Sequence, residues 1–398
     1  MAAEWGAPGG DVERTHDARV QADRPHRIVL LCDWLPPDFG AVGQYAVGFA
    51  HELAAQGHDV ALVGFSSTAG SEERERVGGG QLLTRRLFRP TYDRANLLVR
   101  GIWTVRANLA LLWGARGELR LADEVRFTGS PPYLLHFVAP VALLLGLRTR
   151  YRITDFHPEC LMAVMPNPGI GLRLLSRVTN FWRRRIDVIE VIGDDQGRRL
   201  AGCGIDPASI ELRRDPSPVE FGPGTTLEPA PAAANGRRVI LYSGNWGAAH
   251  DHATFLSGYA DFCRAHPDVA FVWLNATGAR LDVIVASLES MGLPFARTQP
   301  VPLERLAGVL RAADLHLITL DDRFVGYVMP SKVYACIASG RPILFVGSAE
   351  SDVHALCVLN VPADRYVRVD VGDAASVASA IETLLAVSPG AASTEQRN

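Results

Sequence analysis

The chain has 398 residues, more than one hydrophobic core usually serves, so two domains are expected. Apolar residues make up 48% and charged residues 21%, which is typical of a globular protein, and the net charge of -3 argues against a nucleic-acid partner. Six scattered cysteines without a C-x-x-C pair predict a reduced, cytoplasmic protein with no zinc site.

Residues 1–25 are polar and rich in glycine, which predicts a disordered tail without a signal peptide. From residue 26 onward, short apolar runs alternate with helical stretches. "HRIVLLC" predicts a strand, "YAVGFAHELAAQG" a helix and "HDVALVGF" a second strand, and "EVRFTGS", "RTRYRITD" and "IDVIEVIG" predict further strands. Such strands are typical of a parallel sheet covered by helices on both faces. We therefore expect a first domain over 26–213.

Three stretches of this domain have features that could indicate contact with a membrane. The apolar run at 131–147 is short for a membrane span and predicts a buried helix. A stripe from Leu98 to Leu112 has helical spacing, and "GLRLLSRVTNFWRRRI" (171–186) holds five arginines and no acidic residue. Such basic stretches can rest on an anionic membrane, so peripheral contact stays open. Core-facing helices with solvated basic sides are slightly favoured.

The segment 214–237 is rich in Pro, Gly and Ala and predicts an interdomain linker. The strand–helix alternation then restarts over 238–373, followed by a closing amphipathic helix (374–388) and a tail (389–398). The expected fold is α/β, with two doubly wound Rossmann-like domains facing a cleft. Ligands should bind at the carboxyl ends of the strands.

Lys332 is the only lysine in the chain and lies in "MPSKVYACIASG". Pro330 fits the first position of a helix that Gly340 ends, which leaves the N–H groups of Ser331 and Lys332 free. A helix N-terminus with an ammonium beside it binds phosphate. Lysine is a compact point charge that the planar arginine fork does not replace. The alternative is a surface lysine left by chance.

Two glycine-bearing loops, one in each domain, follow predicted strands. "PPDFGAVGQY" (36–45) and "YSGNWGAAHD" (242–251) could each let a ligand approach the backbone or could each form a tight turn. Neither contains G-x-G-x-x-G, so a nicotinamide-dependent oxidoreductase is the least expected class. The candidate ligand-binding residues in these loops are Gly40, Gly43, Gly244, Asn245 and His250.

The segment "DFHPE" (155–159) follows another predicted strand. Asp155 and Glu159 could form a paired-carboxylate acid/base site, and His157 could act as a base. Equally, Asp155 could cap the next helix at a strand-end turn.

Together these segments resemble the GT-B glycosyltransferases of retaining family 4, in the P-S-K branch associated with polysaccharide and glycoconjugate synthesis. The similarity runs through "PPDFGAVGQYAVGFAHELAAQGHDV", "DFHPE", "LYSGNWGAAHD" and "MPSKVYACIASGRPI", in the expected order over about residues 26 to 388.

This resemblance implies transfer of a sugar, with retention, from a nucleotide diphosphate sugar, expected to be a UDP-sugar, to a glycan, lipid-linked or small-molecule acceptor. It implies no metal and no cofactor. The leaving phosphate would deprotonate the acceptor hydroxyl, and the catalytic candidates are Lys332, Asp155, His157 and His136. The implied donor-binding residues are Gly40, Gly43, Gly244, Asn245, His250, Gly326, Tyr327, Pro330, Ser331 and Lys332.

The sequence departs from that family at two positions. Many members carry two glutamates eight residues apart, one near the donor sugar and one on the ribose, where this chain has Tyr327 and Ala335. Asp321, Asp322 or Glu350 could compensate. The departure leaves two alternatives to an active transferase open, namely a catalytically silent GT-B partner protein and a sugar-nucleotide epimerase.

Overall fold

The structure is a computed structural model that describes residues 26–38, 41–90 and 97–387. The predicted tails (1–25 and 389–398), the last residue of the predicted closing helix and Gly40 lie outside the described residues. Every described cysteine has a free thiol. Among the described helices, none combines the length and the apolar content needed to cross a membrane.

The first domain is built on an eight-stranded sheet in the order β3-β4-β2-β1-β5-β6-β7-β8, parallel except for β3. Its strands are β1 Arg27–Trp34, β2 Asp59–Ser66, β3 Ser71–Val77, β4 Gly80–Phe88, β5 Glu124–Thr128, β6 Arg148–Ile153, β7 Val188–Val191 and β8 Ile210–Leu212. Its helices are α1 Ala41–Ala55, α2 Leu97–Gly114, α3 Arg116–Leu119, α4 Leu135–Leu145, α5 Glu159–Ala163, α6 Ile170–Arg183 and α7 Asp194–Gly202.

The second domain is built on a six-stranded parallel sheet in the order β11-β10-β9-β12-β13-β14. Its strands are β9 Arg238–Asn245, β10 Ala270–Thr277, β11 Phe295–Thr298, β12 Leu315–Thr319, β13 Ile343–Val346 and β14 Tyr366–Val369. Its helices are α8 Ala253–Ala265, α9 Leu281–Ser290, α10 Leu303–Ala312, α11 Lys332–Ser339, α12 Asp352–Asn360 and α13 Ala374–Leu384. The predicted fold class of two Rossmann-like domains is therefore confirmed.

The strand order reverses once in each sheet, between β1 and β5 and between β9 and β12. At such a reversal the flanking helices lie on opposite faces, which opens a crevice beyond the carboxyl ends of the strands. The segments after β1, β6 and β9 that the sequence predicts as ligand loops all begin at these carboxyl ends.

Helices lie on both faces of the first sheet, as the sequence predicted, but they cover one of the faces only in part. Helix α1 packs on one face at β1 and β2, whereas α2 and α4 pack on the other. The uncovered part of the first face carries Arg126, Arg150, Arg152 and Glu190 around a cavity of about 260 Å³. Arg150 and Arg152 each pair with Glu190, at 2.9 and 3.1 Å, so charged groups satisfy one another where an apolar layer was expected.

The outward sides of two helices also differ from the expectation of core-facing apolar stripes. On α2 the side chains of Ile102, Val105 and Leu109 are exposed, and α2 faces the core through the small or polar Ala107 and Asn108 together with other residues. On α6 the exposed side likewise carries apolar residues. Exposed arginines do lie on both helices, but the expectation that the apolar stripes face the core does not hold for these residues.

The predicted linker does connect the two sheets, since β8 ends at Leu212 and β9 begins at Arg238. It is not a free connection, however. Val219 and Ala234 are buried in a cluster with Leu241 of the second domain. Only the first residues of the segment pass between the domains. The closing helix α13 ends at Leu384 and packs on α8.

Arg214, at the start of this segment, joins the two domains. Its guanidinium donates two hydrogen bonds to the buried Asp352 carboxylate of α12, at 2.9 and 3.1 Å, and one to Asp194 of α7. Asp195 of α7 also accepts a hydrogen bond from the Asp352 N–H. Burial raises the pKa of Asp352 to about 6, while the Arg214 charge opposes that shift.

We predict that Arg214→Met lowers the free energy of unfolding by about 2 kcal/mol at pH 8, because it leaves Asp352 ionised without its counter-ion. The folded-state pKa of Asp352 lies above its unfolded value, so ionisation destabilises the fold as pH rises through about 6. The variant should therefore lose much less at pH 5. Urea unfolding at both pH values measures this.

Arg213→Met is the matched control, since Arg213 pairs with Glu52 at an exposed site and should contribute under about 1 kcal/mol. Equal stability of Arg214→Met and wild type at pH 8 would contradict the prediction.

Candidate functional site

Lys332 begins α11, as the spacing predicted, and Gly340 ends the helix in the left-handed conformation, with φ +69. The cap is Ser331, so Pro330 lies two residues before the helix and not at its first position. The Pro330 carbonyl accepts a hydrogen bond from the Val333 N–H at 3.1 Å. The N–H groups of Ser331 and Lys332 donate to no described residue. The helix start thus offers two donors beside an ammonium.

The Lys332 ammonium is buried, contrary to the expectation of a surface or solvated lysine. Its Nζ lies 3.2 Å from the centre of the Tyr242 ring and has no hydrogen-bond partner among the described residues. Desolvation lowers the pKa of Lys332 to about 7. A buried amine without a counter-ion is costly, and an entering anion would remove that cost.

His250 lies next to this ammonium in the second sheet's crevice. Its Nδ1–H donates to the Thr319 carbonyl at the end of β12, at 2.6 Å. Burial and then the Lys332 charge lower the pKa of His250 to about 3, so the ring is neutral. The Thr319 hydroxyl is also buried without a partner among the described residues. Buried polar groups without a described partner therefore lie both at the end of β12 and at the start of α11.

Gly244 and Asn245 end β9 on the other side of this crevice. Gly244 has φ +122, and a Cβ there would lie 3.6 Å from the Lys332 Cε, so the glycine is required by its backbone conformation beside the ammonium. Asn245 is exposed, and its carbonyl accepts the Tyr242 hydroxyl at 3.0 Å. The structure thus brings Gly244, His250 and Lys332 together.

Three other predicted donor-binding residues serve packing. Gly43 lies inside α1, where a Cβ would come within 1.8 Å of the Trp34 carbonyl oxygen. Gly326 has φ +76 and packs against Arg199 of the first domain, whose Cγ would lie 2.5 Å from a Cβ. Tyr327 stacks under the same Arg199 guanidinium at 4.6 Å. Close helix–strand and domain–domain contact explains these positions without a ligand.

The predicted acceptor segment touches the predicted donor segment. Asp155 forms a β-bridge with Val328, and the Phe156 N–H donates to the Tyr327 carbonyl at 3.2 Å. Enclosure by the surrounding protein raises the pKa of Asp155, although the residue stays exposed to solvent. Its carboxylate does not cap the following helix, since α5 begins after Pro158 without a side-chain cap.

His136 and His157 lie on either side of Tyr133, with ring centres 5.9 and 5.8 Å from the Tyr133 ring. His136 donates through Nδ1 to the Tyr133 carbonyl at 3.3 Å and shares a hydrogen bond with Thr179 through Nε2 at 3.0 Å. Burial lowers the pKa of His136. Tyr133 has φ +66, an uncommon conformation for a bulky residue. These contacts fix the position of the His136 side chain, so His136 has a structural role here.

Glu159 is not one half of an acid/base pair with Asp155. Arg183 of α6 is 1% exposed and donates to both carboxylate oxygens of Glu159, at 2.6 and 3.1 Å. A buried bidentate pair of this kind fixes the positions of both side chains, because separating them would leave each charge buried without a counter-ion. Only Asp155 remains as an available carboxylate in this segment.

Sequence reasoning missed Tyr242, Thr319 and Arg183. A tyrosine two residues before Gly244, at the end of an otherwise aliphatic strand, was a usable signal for the first. The other two had no local signal, because each acts through a residue distant in sequence.

Comparison with known proteins agrees with this architecture. WbjE of Pseudomonas aeruginosa, described as a probable glycosyltransferase, is 27% identical over 65% of this chain and 65% of its own length, so the match spans less than two thirds of WbjE. WcaI of Escherichia coli (strain K12), provisionally named a colanic acid biosynthesis glycosyl transferase, is 23% identical over 81% of this chain and 83% of WcaI. No protein-family model matches the chain.

Solved structures show the same fold. The Escherichia coli trehalose-6-phosphate protein bound with UDP-2-fluoro glucose is 13% identical, with a TM-score of 0.60 over 91% of this chain and 92% of its own. Sucrose-phosphate synthase from Thermosynechococcus elongatus is 14% identical, with a TM-score of 0.61 over 91% and 90%. Anabaena HepE in complex with UDP and glucose is 10% identical, with a TM-score of 0.59 over 90% and 89%.

Two facing Rossmann-like domains and these structural neighbours show that the chain has the GT-B fold, and the two sequence relatives to which it is similar are described as glycosyltransferases. The P-S-K segment with Lys332 is consistent with a family 4-like member.

We predict that Glu159→Gln lowers the free energy of unfolding by about 3 kcal/mol, because the Arg183 charge stays buried without its counter-ion. Asp155→Asn is the matched control. Asp155 is exposed as a residue and does not hold a buried arginine, so its effect on stability should be under about 0.5 kcal/mol. Urea unfolding of both variants measures the difference. A Glu159→Gln protein with wild-type stability and no activity would instead support a catalytic carboxylate.

Proposed function

We propose that the protein transfers a sugar, with retention, from a UDP-sugar to a hydroxyl of a glycan, lipid-linked or small-molecule acceptor. The observation that carries the proposal is the buried Lys332 ammonium, which has no counter-ion among the described residues and lies at the start of α11. A diphosphate bound there would meet this charge and the free N–H groups of Ser331 and Lys332.

Lys332 would stabilise the charge that develops on the leaving diphosphate. In a site shielded from water, a positioned cation lowers the barrier more than an exposed one, since no solvent reorganises around it. We infer that this charge and the helix N-terminus together stabilise the leaving diphosphate, in the way that a bound metal ion would. Metal independence and the absence of a cofactor remain part of the proposal.

The UDP-sugar assignment is supported by the neighbours, since two of the three similar structures are described with UDP or a UDP-sugar bound. Their sequence identities of 10–13% support a shared fold and nothing more specific, so the nucleotide is an inference from the shared architecture.

Asp155 and His157 would line the acceptor side, because their segment joins the donor loop through Val328. In the retaining mechanism that the resemblance implies, the leaving phosphate takes the proton of the acceptor hydroxyl. The first-domain residues would then orient the acceptor rather than act as its base.

A catalytically silent GT-B protein is the second candidate. Tyr327 faces the first domain and Ala335 is buried, so neither supplies the carboxylates that many family 4 enzymes have. Asp321 is paired with Arg323 at 2.6 Å, which leaves Asp322 and Glu350 as the carboxylates able to hold a ribose. The epimerase alternative would need the same donor site without an acceptor.

We predict that Lys332→Met stabilises the ligand-free protein by about 2 kcal/mol at pH 7 but lowers turnover about a hundredfold or more. The folded-state pKa of Lys332 is depressed, so the wild type loses stability as pH falls from about 10 to 7. The gain in Lys332→Met should therefore be largest at pH 7 and small at pH 10. Melting temperatures and turnover of the same preparations measure both effects.

Lys332→Arg is the control for charge. Weak nucleotide binding should survive, whereas turnover should still fall strongly, because the guanidinium is too broad for the space over the Tyr242 ring. Full turnover in Lys332→Arg would mean that the site does not specifically require lysine at position 332. Full turnover in Lys332→Met would show that the start of α11 is not part of the catalytic site.

We predict that UDP-sugars raise the melting temperature by mass action, by an equivalent of about 2.7 kcal/mol at a hundred times Kd, and that EDTA changes neither binding nor transfer. GDP- and dTDP-sugars serve as nucleotide controls, and Lys332→Met serves as the site control. Activity lost with EDTA and restored by Mg²⁺ would contradict the metal-free mechanism. Binding without transfer to any acceptor would favour the silent protein.

A further inference from the structure

Helices α2, α4 and α6 pack side by side on one face of the first sheet, with α4 in the middle. Of the 23 large apolar residues exposed in the described part of the chain, twelve lie on these three helices, a concentration unusual for a solvated surface. We call their outward surface the three-helix face. It consists of Val99, Ile102, Val105, Leu109, Trp113, Leu143, Leu144, Leu145, Ile170, Leu174, Val178 and Phe181.

The spacing of these residues makes α2 and α6 one-sided, whereas on α4 they are the last three residues of the helix. On α2 the exposed positions fall three or four residues apart from Ile102 to Trp113, and on α6 they do so from Ile170 to Phe181. Such stripes predict contact with a continuous apolar environment.

The charge around this surface has one sign. Helices α2, α4 and α6 contain no Asp or Glu, although the chain as a whole has a net charge of -3. Arg106, Arg173 and Arg177 are exposed, and their side chains form no ion pair with a described residue. The Arg185 guanidinium lies 3.6 Å from the centre of the exposed Phe181 ring. Arginines flanking apolar and aromatic side chains can reach lipid phosphates while their stems stay in the apolar layer.

We propose that the three-helix face docks on an anionic lipid bilayer. Its apolar stripes, aromatic residues and arginine rim match the features of interfacial helices that bind anionic lipids. A second copy of the chain fits less well, because a two-fold contact would set arginines of one copy against those of the other.

The same helices build the acceptor side of the cleft from their inner surfaces. Thr179 of α6 bonds to His136 of α4, and Arg183 of α6 holds Glu159. Docking would therefore bring the acceptor residues close to the lipid surface. The inference does not depend on the proposed function, since the surface can bind lipid whatever reaction the cleft performs.

Vesicle co-sedimentation with the full chain tests the proposal. Vesicles of phosphatidylcholine with phosphatidylglycerol should bind the protein, and phosphatidylcholine alone should bind it much more weakly. The triple variant Leu109→Glu, Leu144→Glu, Leu174→Glu should reduce the partition at least about tenfold, because it places acids on all three helices. The matched control, Val283→Glu, Val358→Glu, Leu359→Glu, changes equally exposed residues of the second domain and should bind like wild type.

A second variant tests the electrostatic contribution to lipid binding. Arg173→Gln with Arg177→Gln should lower the partition about fivefold per arginine at low salt, and the difference should shrink at high salt. Melting temperature and UDP-glucose stabilisation of every variant check folding and the donor site separately from lipid binding. The proposal is overturned if wild type fails to bind anionic vesicles, if both triple variants lose binding equally, or if sedimentation shows a dimer that only the first triple variant dissociates.

Discussion

The placement of one ammonium over one aromatic ring organises the second domain. Lys332 Nζ lies on the Tyr242 ring without a counter-ion among the described residues, and desolvation by burial lowers its pKa to about 7. Tyr242 comes from β9, Lys332 from α11, and the neutral His250 is fixed by β12. These elements surround the point where the strand order reverses. The domain therefore holds a buried amine without a counter-ion among its described residues, and an anionic ligand would remove the cost of burying its charged form.

The loop before Lys332 is held from both domains, so the Lys332 site and the Asp155 segment are mechanically connected. Gly326 packs on Arg199 of the first domain, and the Tyr327 carbonyl accepts the Phe156 N–H. The Arg214 bridge to Asp352 adds a charged contact nearby. Since interfaces rearrange between discrete packings rather than stretch, a movement of one domain would shift this loop as a unit.

The use of arginine everywhere else explains why one position keeps lysine. Arg183 and Arg214 each hold a carboxylate with two parallel hydrogen bonds, a task that suits a planar fork. Over the Tyr242 ring lies instead the compact ammonium of Lys332, on a flexible stem and 3.2 Å from the ring centre. Outside the cleft, arginine on α2 and α6 surrounds apolar residues, so the same residue type serves paired networks inside the first domain and an unpaired rim on its surface.

The sequence by itself determined the α/β alternation, the two domains, the helix from Lys332 to Gly340 and the segments around Asp155 and Gly244, because period, turn residues and capping are local properties. It missed the β3–β4 hairpin, since the polar "SEERERV" of β3 has no apolar alternation. Tertiary structure alone decided that Lys332 is buried on Tyr242, that Glu159 pairs with Arg183, that Gly43 serves packing and that α2 turns its apolar stripe outward. Each of these depends on which residues distant in sequence meet in space, and neither spacing nor composition encodes that.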